Sequence, residues 1–224
     1  TKTMKKLLTI LCLVLLVSCS PPPEVPYDEL VERQGIKYEV NSTTPFTGSS
    51  VIYHDNGQLE VRGNFKNGKR DGLSERFHEN GQLEERGNYK NEKKYGLHEV
   101  FHENGQLKKK GYFKNDKEQG LVESFFKNGQ LSSKGNYKNG KREGLWEYFD
   151  EGGNLTDTKE YIDGDVVEKI VEYYDNGHLQ STENYKNGKK YGLWEWFYED
   201  GQLSFKGNYK NGEQNGPWEE FHEN

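Results

Sequence analysis

A repeat of 24 residues constrains the fold of this chain more than any other feature of its sequence. Self-similarity at a fixed period is the signature of a repeat architecture. The turn-like tetrad Asn-Gly-Gln-Leu, or a variant of it, begins at Asn56, Asn80, Asn104, Asn128, Gly152, Asn176 and Asp200. A second turn-like pair keeps the same spacing and begins at Asn67, Asn91, Asn115, Asn139, Asp163, Asn187 and Asn211. Each unit is therefore predicted to reverse direction twice.

Apolar and polar residues alternate between the turns, as in the segment from Leu145 to Phe149. Alternation is the period of a β-strand, and helices are not indicated. Asn-Gly and Asp-Gly pairs favour type I′ turns, whose twist matches that of the flanking strands, so both reversals are predicted to be type I′ hairpins. The predicted fold is all-β: an elongated, single-layer antiparallel meander of stacked β-hairpins over residues 46–224. Counted from Gly48, it has seven full units and a partial eighth from Gly216.

The array stops inside a turn at Asn224. The next residue expected from the period is the glycine of that turn. Because repeat arrays need capped ends, we expect either that the protein continues or that a partner covers the open edge.

The in-phase positions assign side chains to the two faces of the predicted sheet. Leu73, Glu75 and Phe77 share one face of the first strand of a unit, and their equivalents recur in most later units. Gly87 and Tyr89 of the second strand are assigned to the same side. This face is predicted to form an apolar seam shared between units.

The four tryptophans all lie in the C-terminal half of the chain. Their strand positions place Trp146, Tyr148, Trp194 and Trp196 on the face opposite the leucines, and Trp218 follows in the last unit. Exposed aromatic side chains concentrate binding energy, so these five residues form a candidate binding patch. The alternative is that they pair across strands and stiffen a sheet of one layer.

The repeat units resemble those of a known family. The segment from Asn128 to Phe149 joins the tetrad, a Gly-Asn-Tyr-Lys-Asn-Gly stretch and a Gly-Leu-Trp-Glu-Tyr-Phe block. This order is similar to the MORN repeat variant of bacterial YwqK-type proteins, and the resemblance covers about residues 46–224. It implies stacked hairpins in an elongated twisted sheet, and scaffolding, protein-binding or membrane-associated roles. Some members of the family carry an antitoxin label.

Two units depart from the pattern between residues 159 and 183. Glu168 replaces the glycine that opens the block, whereas Lys159 and Glu183 replace the strand glycine. A kink or altered twist is one interpretation, and a dedicated site is the other. Function is therefore predicted to lie where the period breaks or where the tryptophans gather.

The first 19 residues have the pattern of an export signal. Lys5 and Lys6 precede a short apolar run that ends in Leu-Val-Ser-Cys at Cys19. The run is shorter than the roughly 20 apolar residues of a membrane-spanning helix. Its end resembles the lipobox of bacterial lipoproteins, which implies lipid on Cys19 and a membrane anchor in the cell envelope, at an outer membrane or the cell surface. Residues 20–45 are predicted to be a Pro-rich linker and N-terminal lead-in.

Composition and charge argue against several classes of function. Without Lys2, Lys5 and Lys6, 28 of the 31 basic residues remain against 37 acidic residues, a net charge of −9. Such a charge argues against nucleic-acid binding. The cysteines are Cys12 in the signal and Cys19, so no disulfide is expected after processing. Because no catalytic motif occurs, we expect neither an enzyme nor a bound cofactor.

Two columns of polar side chains superficially resemble functional groups. Glutamates recur from Glu75 to Glu219, and histidines recur from His54 to His222. Equivalent residues lie two strands apart, about 9 to 10 Å at the usual strand spacing of about 4.8 Å. This separation does not suit paired catalytic acids or a shared metal ion. We predict a repeating structural bond for the glutamates and surface positions for the histidines.

These observations predict an envelope-anchored, non-enzymatic scaffold whose partner is another protein. Two alternatives are open. The first is an immunity or antitoxin-like inhibitor, which an acidic surface suits if the toxin is basic. The second is a cell-wall or glycan-binding module, although the units that begin at Gly72, Gly96 and Gly120 contain no tryptophan.

Overall fold

In a computed structural model, the described part of the chain is residues 24–222. The predicted export signal, the lipidation position Cys19 and the three prolines that follow it lie outside the described residues. Within residues 24–222, no helix is long and apolar enough to cross a lipid bilayer.

Most of the described chain is β-strand, and a single turn of 3₁₀-helix covers Tyr27–Glu29. The strands are β1 (Val25–Pro26), β2 (Leu30–Arg33), β3 (Ile36–Glu39), β4 (Gly48–Tyr53), β5 (Leu59–Lys66), β6 (Lys69–Phe77), β7 (Leu83–Lys90), β8 (Lys93–Phe101), β9 (Leu107–Lys114), β10 (Lys117–Phe125), β11 (Leu131–Lys138), β12 (Lys141–Phe149), β13 (Leu155–Ile162), β14 (Asp165–Tyr173), β15 (Leu179–Lys186), β16 (Lys189–Lys190), β17 (Gly192–Phe197), β18 (Leu203–Lys210), β19 (Glu213–Gln214) and β20 (Glu219–Glu220).

The strands form one long open sheet in a meander. From β4 to β15 each strand pairs with the next one along the chain, always antiparallel. β15 then pairs with β16 and β17, and β18 pairs with β17, β19 and β20. β2 and β3 make a separate two-stranded hairpin. The predicted all-β meander of 24-residue units is therefore confirmed.

The two reversals of each unit use different turns. At the second pair two consecutive residues have positive φ, for example 51° at Asn67 and 72° at Gly68, as a type I′ turn requires. At the tetrad only the glycine has positive φ, 81° at Gly81, and its N–H donates to the carbonyl oxygen of His78. This is a type I turn followed by a left-handed glycine. The prediction of type I′ turns is confirmed for the second pair and wrong for the tetrad.

The N-terminal residues form a cap on the first edge of the sheet. β1 lies parallel to β4 and pairs with it through Val25 and Pro26. Leu30 and Phe46 are buried against Phe65 of the array, with 5.8 Å between the two phenylalanine ring centroids. Within the predicted linker and lead-in, residues 24–45 thus contain short strands that pack on the array. They cover backbone groups that an open edge strand would leave unpaired.

One face of the sheet, the core face, carries a column of side chains in phase with Trp146. We call these residues the core column: Ser50, Ser74, His98, Val122, Trp146, Ile170, Trp194 and Trp218. Four of their side chains lie so close to a strand glycine that a Cβ there would collide with them, at Gly87, Gly111, Gly135 and Gly207. Bare glycine backbone thus lets large side chains pack directly on a one-layer sheet.

The leucines lie on the opposite face, the outer face. Leu73 pairs with Asn88 and Ser74 with Gly87, so Gly87 faces the core column and not the leucine. Leu145 is 58% exposed, whereas Trp146 beside it is 3% exposed. The predicted leucine seam is therefore wrong. A single-layer sheet has no second layer to cover the leucines, and the strand glycines permit close packing only on the core face.

One hairpin of the meander is open along most of its length. β13 and β14 pair only at three positions beside their turn, where Glu160, Tyr161 and Ile162 meet Val167, Val166 and Asp165. The equivalent hairpin β11–β12 contains a bulge, in which Gly144 adopts a φ of 69°. Glu168 takes the place of that glycine in β14 and does not adopt positive φ, which is costly for a residue with a Cβ. β13 and β14 therefore separate beyond Val167, and we call this pair the split hairpin.

Candidate functional site

Large side chains of the core column sit in cages built by neighbouring strands. The indole of Trp146 lies directly over the backbone of Gly135. Tyr137 and Tyr161 pack edge to face against it, with 5.3 and 6.1 Å between ring centroids. The guanidinium of Arg142 lies 4.5 Å from the centroid of the indole. Aromatic and cation–π contacts of this geometry add to the stabilisation that burial provides.

Hydrogen bonds complete the cage around Trp146. Its Nε1 donates to the carbonyl oxygen of Asn136 at 3.2 Å. Arg142 donates to the hydroxyls of Tyr148 and Tyr161 at 3.1 and 2.8 Å, and these two oxygens are 3.0 Å apart. Burial, together with the Tyr161 hydroxyl, raises the pKa of Tyr148 to about 12. The Tyr148 hydroxyl is therefore neutral at physiological pH.

Trp194 occupies a similar cage in the seventh unit. Its ring centroid lies 5.2 Å from that of Tyr185 and 5.3 Å from that of Trp196. The ammonium of Lys190 is 4.0 Å from the Trp194 centroid, and Trp194 Nε1 donates to the carbonyl oxygen of Asn184 at 2.9 Å. Cross-strand aromatic packing thus fixes this residue, as it does Trp146.

The tryptophans therefore do not form the exposed patch predicted from the sequence. Trp146 and Trp194 are buried, so the expectation of exposure is wrong for both. Tyr148, Trp196 and Trp218 are half-buried. For Trp146 the physical reason is the bare backbone of Gly135, on which the ring lies. Trp194 is instead buried between the rings of Tyr185 and Tyr209.

The glutamate column on the outer face is held by cations of the neighbouring strand. Glu123 pairs with Lys110 at 2.7 Å, and Glu147 pairs with Lys134 at 2.8 Å. Equivalent pairs join Arg62 to Glu75, Arg86 to Glu99 and Lys206 to Glu219. Lys134 also lies 5.8 Å from the ring centroid of Phe149. These five carboxylates each close a cross-strand ion pair, and Glu195 of the same column accepts a hydrogen bond from the Thr182 hydroxyl at 3.3 Å. The contacts agree with the predicted structural role.

The histidine column links consecutive units. Nε2 of His54 donates to the carbonyl oxygen of Phe77 at 2.9 Å. His78 and His102 make the same bond one and two units later, and the hydroxyl of Tyr174 takes over this role further along the chain. The three histidines are half-buried and His222 is exposed, so the predicted surface position holds fully only for His222. Within residues 24–222, no group of three or more His, Cys, Asp or Glu side chains is arranged to hold a metal ion.

A second bond between units explains the tetrad, and the sequence reasoning missed it. Asn104 Nδ2 donates to the carbonyl oxygen of Lys127 at 2.8 Å, and its Oδ1 accepts from the N–H of Gln106 at 3.1 Å. The same donation to the next unit occurs at Asn56, Asn80, Asn128 and Asn176. The recurrence of asparagine could have indicated this bond. Aspartate would accept the hydrogen bond within the turn equally well, but it cannot donate one to the next unit.

The split hairpin presents two strand edges that face each other. Leu155–Lys159 of β13 pairs with β12, and Glu168–Tyr173 of β14 pairs with β15. Within residues 24–222, no strand pairs with the other edge of either segment. A free strand edge presents a row of N–H and C=O groups that another strand can bind. Sequence reasoning pointed to this region through its missing glycines but did not predict that the hairpin opens.

The side chains along this gap differ between the two faces. The core face of the gap carries Asp157, Glu168 and Glu172. Lys159 lies on the same face, with its Nζ 3.4 Å from Asp157. On the outer face Tyr173 is 62% exposed. The core face of the gap therefore has an excess of acidic side chains, and the outer face carries exposed apolar side chains at the end of β14, after Lys169.

A sheet of equivalent hairpins, joined by bonds that recur in successive units, defines a β-hairpin repeat protein. The chain belongs to the MORN repeat variant family, whose profile matches residues 46–67, 70–91, 94–115, 118–139, 142–163, 169–187 and 190–211. The predicted resemblance to this repeat is confirmed. Residues 164–168 fall outside the matches, and this is where the split hairpin opens. No curated protein matches the chain significantly.

Proposed function

We propose that this protein is a non-enzymatic interaction module that binds an extended segment of a partner protein in the split hairpin. The observation that carries the proposal is the pair of free edges at Leu155–Lys159 and Glu168–Tyr173. A strand that adds to a sheet edge gains main-chain hydrogen bonds, and a strand in this gap has an edge on each side. Membership of the family supports the proposal, since MORN repeats are generally protein or membrane interaction modules.

The side chains of the gap define the chemistry of the bound segment. Alternate residues of a strand in the gap point to opposite faces of the sheet. Glu168 and Glu172 favour basic side chains on the core face by charge complementarity. Val171 and Tyr173 are exposed on the outer face and favour apolar ones. The proposed ligand is thus a segment of about five or six residues, the usual length of a strand, in which basic and apolar residues alternate.

Calorimetric titration of the protein with a blocked hexapeptide of alternating lysine and valine tests the proposal. Glu168→Gly supplies the glycine that the bulge needs, so the hairpin closes. We expect Glu168→Gly to bind the hexapeptide with at least ~10-fold lower affinity than the wild type, a loss of ~1.4 kcal/mol in binding free energy. Glu168→Gln removes the same charge but leaves the hairpin open, so this control retains more affinity than Glu168→Gly.

Main-chain pairing is tested with a peptide that is N-methylated at every second residue. The methyl groups remove N–H donors along one edge, and we expect binding to be lost. The proposal is wrong if the methylated peptide binds as tightly as the unmodified one, or if Glu168→Gly leaves the affinity unchanged.

We also propose that the module is displayed at the bacterial cell envelope through lipid on Cys19. The support is the sequence Leu-Val-Ser-Cys after a basic and apolar start, which resembles a lipobox. Cells grown with an alkyne-labelled fatty acid should incorporate label into the wild-type protein and not into the Cys19→Ser variant. Equal labelling of both proteins would contradict the anchor.

An immunity or antitoxin-like inhibitor is the special case in which the bound segment belongs to a toxin. A glycan-binding module is less well supported, because the buried rings of Trp146 and Trp194 offer no face on which a sugar could stack. Retention of the protein on purified cell-wall material, in the absence of any other protein, would overturn the proposed function in favour of the glycan binder.

A further inference from the structure

The core column contains small residues in its first two units. Ser50 and Ser74 stand where later units have histidine, valine or tryptophan. A pocket of about 200 Å³ opens on the core face beside them, lined by both serines, Phe65, Arg70 and Tyr89 among others. The pocket therefore lies where a large side chain of the column is absent.

The repeat shows what fills the equivalent space elsewhere. Three units later, Trp146 takes the place of Ser74. The residues that surround the Trp146 ring all have equivalents in the lining of the pocket: Gly63 for Gly135, Phe65 for Tyr137, Arg70 for Arg142, Arg76 for Tyr148 and Tyr89 for Tyr161. The pocket is thus a tryptophan cage that lacks its tryptophan.

The pocket has a cation and aromatic side chains in the same places as the cage around Trp146. The guanidinium of Arg70 lies 4.8 Å from the ring centroid of Tyr89, as that of Arg142 lies 5.2 Å from Tyr161. An aromatic ring in the pocket would therefore find the same edge and cation contacts that surround Trp146.

The backbone also offers a hydrogen-bond acceptor. In this column His98, Trp146 and Trp194 each donate a ring N–H to the carbonyl oxygen of the asparagine ten residues earlier. The equivalent of that asparagine beside Ser74 is Asn64. A bound indole in the same pose would donate to the Asn64 carbonyl oxygen.

Size and polarity agree with a ring-shaped ligand. A cavity of about 150 Å³ suffices to bind benzene in a protein core, and this pocket is larger. Ser50 is 3% exposed, and its hydroxyl has no hydrogen-bond partner in the described part of the chain. Arg70 and Arg76 add two positive charges to the lining. The Glu85 carboxylate is paired with Lys94 at 2.7 Å, whereas Arg76 has a longer ion pair with Glu60 at 3.7 Å and Arg70 has none within residues 24–222. The cations therefore dominate the field at the mouth.

We propose that this pocket binds a flat aromatic ring of indole size that carries an anionic group, such as an aromatic acid. The ring takes the place of the missing tryptophan, and the acid meets Arg70 and Arg76. A free aromatic acid offers both the ring and the charge, whereas a tryptophan side chain of a partner peptide offers only the ring, and the test separates the two. The pocket lies in the first units and does not involve the split hairpin, so either proposal can fail without the other.

The test is calorimetric titration of the protein with indole-3-acetate, with tryptamine and with a blocked Gly-Trp-Gly tripeptide. Indole-3-acetate should bind, and tryptamine should bind more weakly because its ammonium faces two arginines. We expect indole-3-acetate to bind more tightly than the uncharged tripeptide. Tighter binding of the tripeptide would assign the ring to a partner side chain and overturn the proposed anionic ligand. Tryptamine binding as tightly as indole-3-acetate would overturn the proposed anionic group.

Matched variants locate the binding site. Ser74→Trp fills the cage from within and should lower the affinity for indole-3-acetate at least ~10-fold, whereas Ser74→Ala should retain it. Gly63→Val is a second blocking variant, because a Cβ at Gly63 meets its neighbours at ordinary distances of 3.6 and 3.7 Å. Leu73→Trp adds the same ring on the outer face and should leave binding intact. Full affinity in both Ser74→Trp and Gly63→Val, or no binding of any probe to the wild-type protein, would overturn the proposal.

Discussion

The closed hairpin β11–β12 and the split hairpin β13–β14 occupy equivalent places in successive units. In β11–β12 the positive φ of Gly144 makes the bulge, Gly135 leaves room for Trp146, and the strands pair on both sides of the bulge. In β13–β14 these glycines are replaced by Glu168 and Lys159, and pairing ends beside the turn. Two backbone positions thus separate a packed hairpin from an open one.

The next hairpin shows which of the two glycines matters more. Glu183 replaces the strand glycine there, yet Gly192 keeps the positive φ of the bulge at 66°. β15 and β17 still pair, and Trp194 is 1% exposed. The bulge glycine is therefore decisive, because a side chain can yield to a neighbouring ring more easily than a Cβ can accept a left-handed backbone.

The largest expected effect contrasts the core-column residues of the two hairpins. Trp146→Ala removes a buried ring and should lower the free energy of unfolding by ~3–5 kcal/mol. Ile170, its equivalent in the split hairpin, is 42% exposed, so Ile170→Ala should cost less than ~1 kcal/mol. Urea denaturation followed by circular dichroism measures both. Equal losses would show that the split hairpin is closed in solution.

An intermediate effect is expected when the bulge residues are exchanged. Gly144→Glu places a side chain on a left-handed backbone and should cost ~1–3 kcal/mol while opening β11–β12. Glu168→Gly should close β13–β14, with slower hydrogen exchange at the amides of Leu155–Lys159 that face β14. Lys159→Gly is the control and should leave exchange unchanged, since the strand glycine is not decisive. Faster exchange in Glu168→Gly than in wild type would contradict the role assigned to the bulge.

The smallest effect is expected for the hydrogen bonds that link consecutive units. His102→Ala removes the donor to the Phe125 carbonyl oxygen and should destabilise the protein by ~0.5–1.5 kcal/mol. His102→Tyr should restore most of this loss, because Tyr174 and Tyr198 make the same bond in later units. Thermal unfolding of the three proteins provides the measurement. A tyrosine variant no more stable than the alanine variant would rule out the exchange of roles.

The period and its turns were sufficient to predict the meander, because turn residues act locally. The faces were harder to predict, since hydrophobicity alone suggested that leucines such as Leu145 form the core. The buried side is the one on which large side chains lie over the strand glycines, as Trp146 lies over Gly135. The split at Glu168 and the pocket at Ser74 are both departures from the period. They were visible as substitutions, but their consequences required knowledge of the residues packed around them.

Within the described chain, residues 24–162 and residues 165–222 are joined by a single strand ladder of three residue pairs. In a repeat array each unit is stabilised through its interfaces with its neighbours, so a weak interface separates cooperative blocks. Heating should therefore melt the two blocks in separate steps, with a calorimetric enthalpy larger than the van't Hoff enthalpy. The open hairpin makes the sheet behave as two thermal domains in one continuous meander.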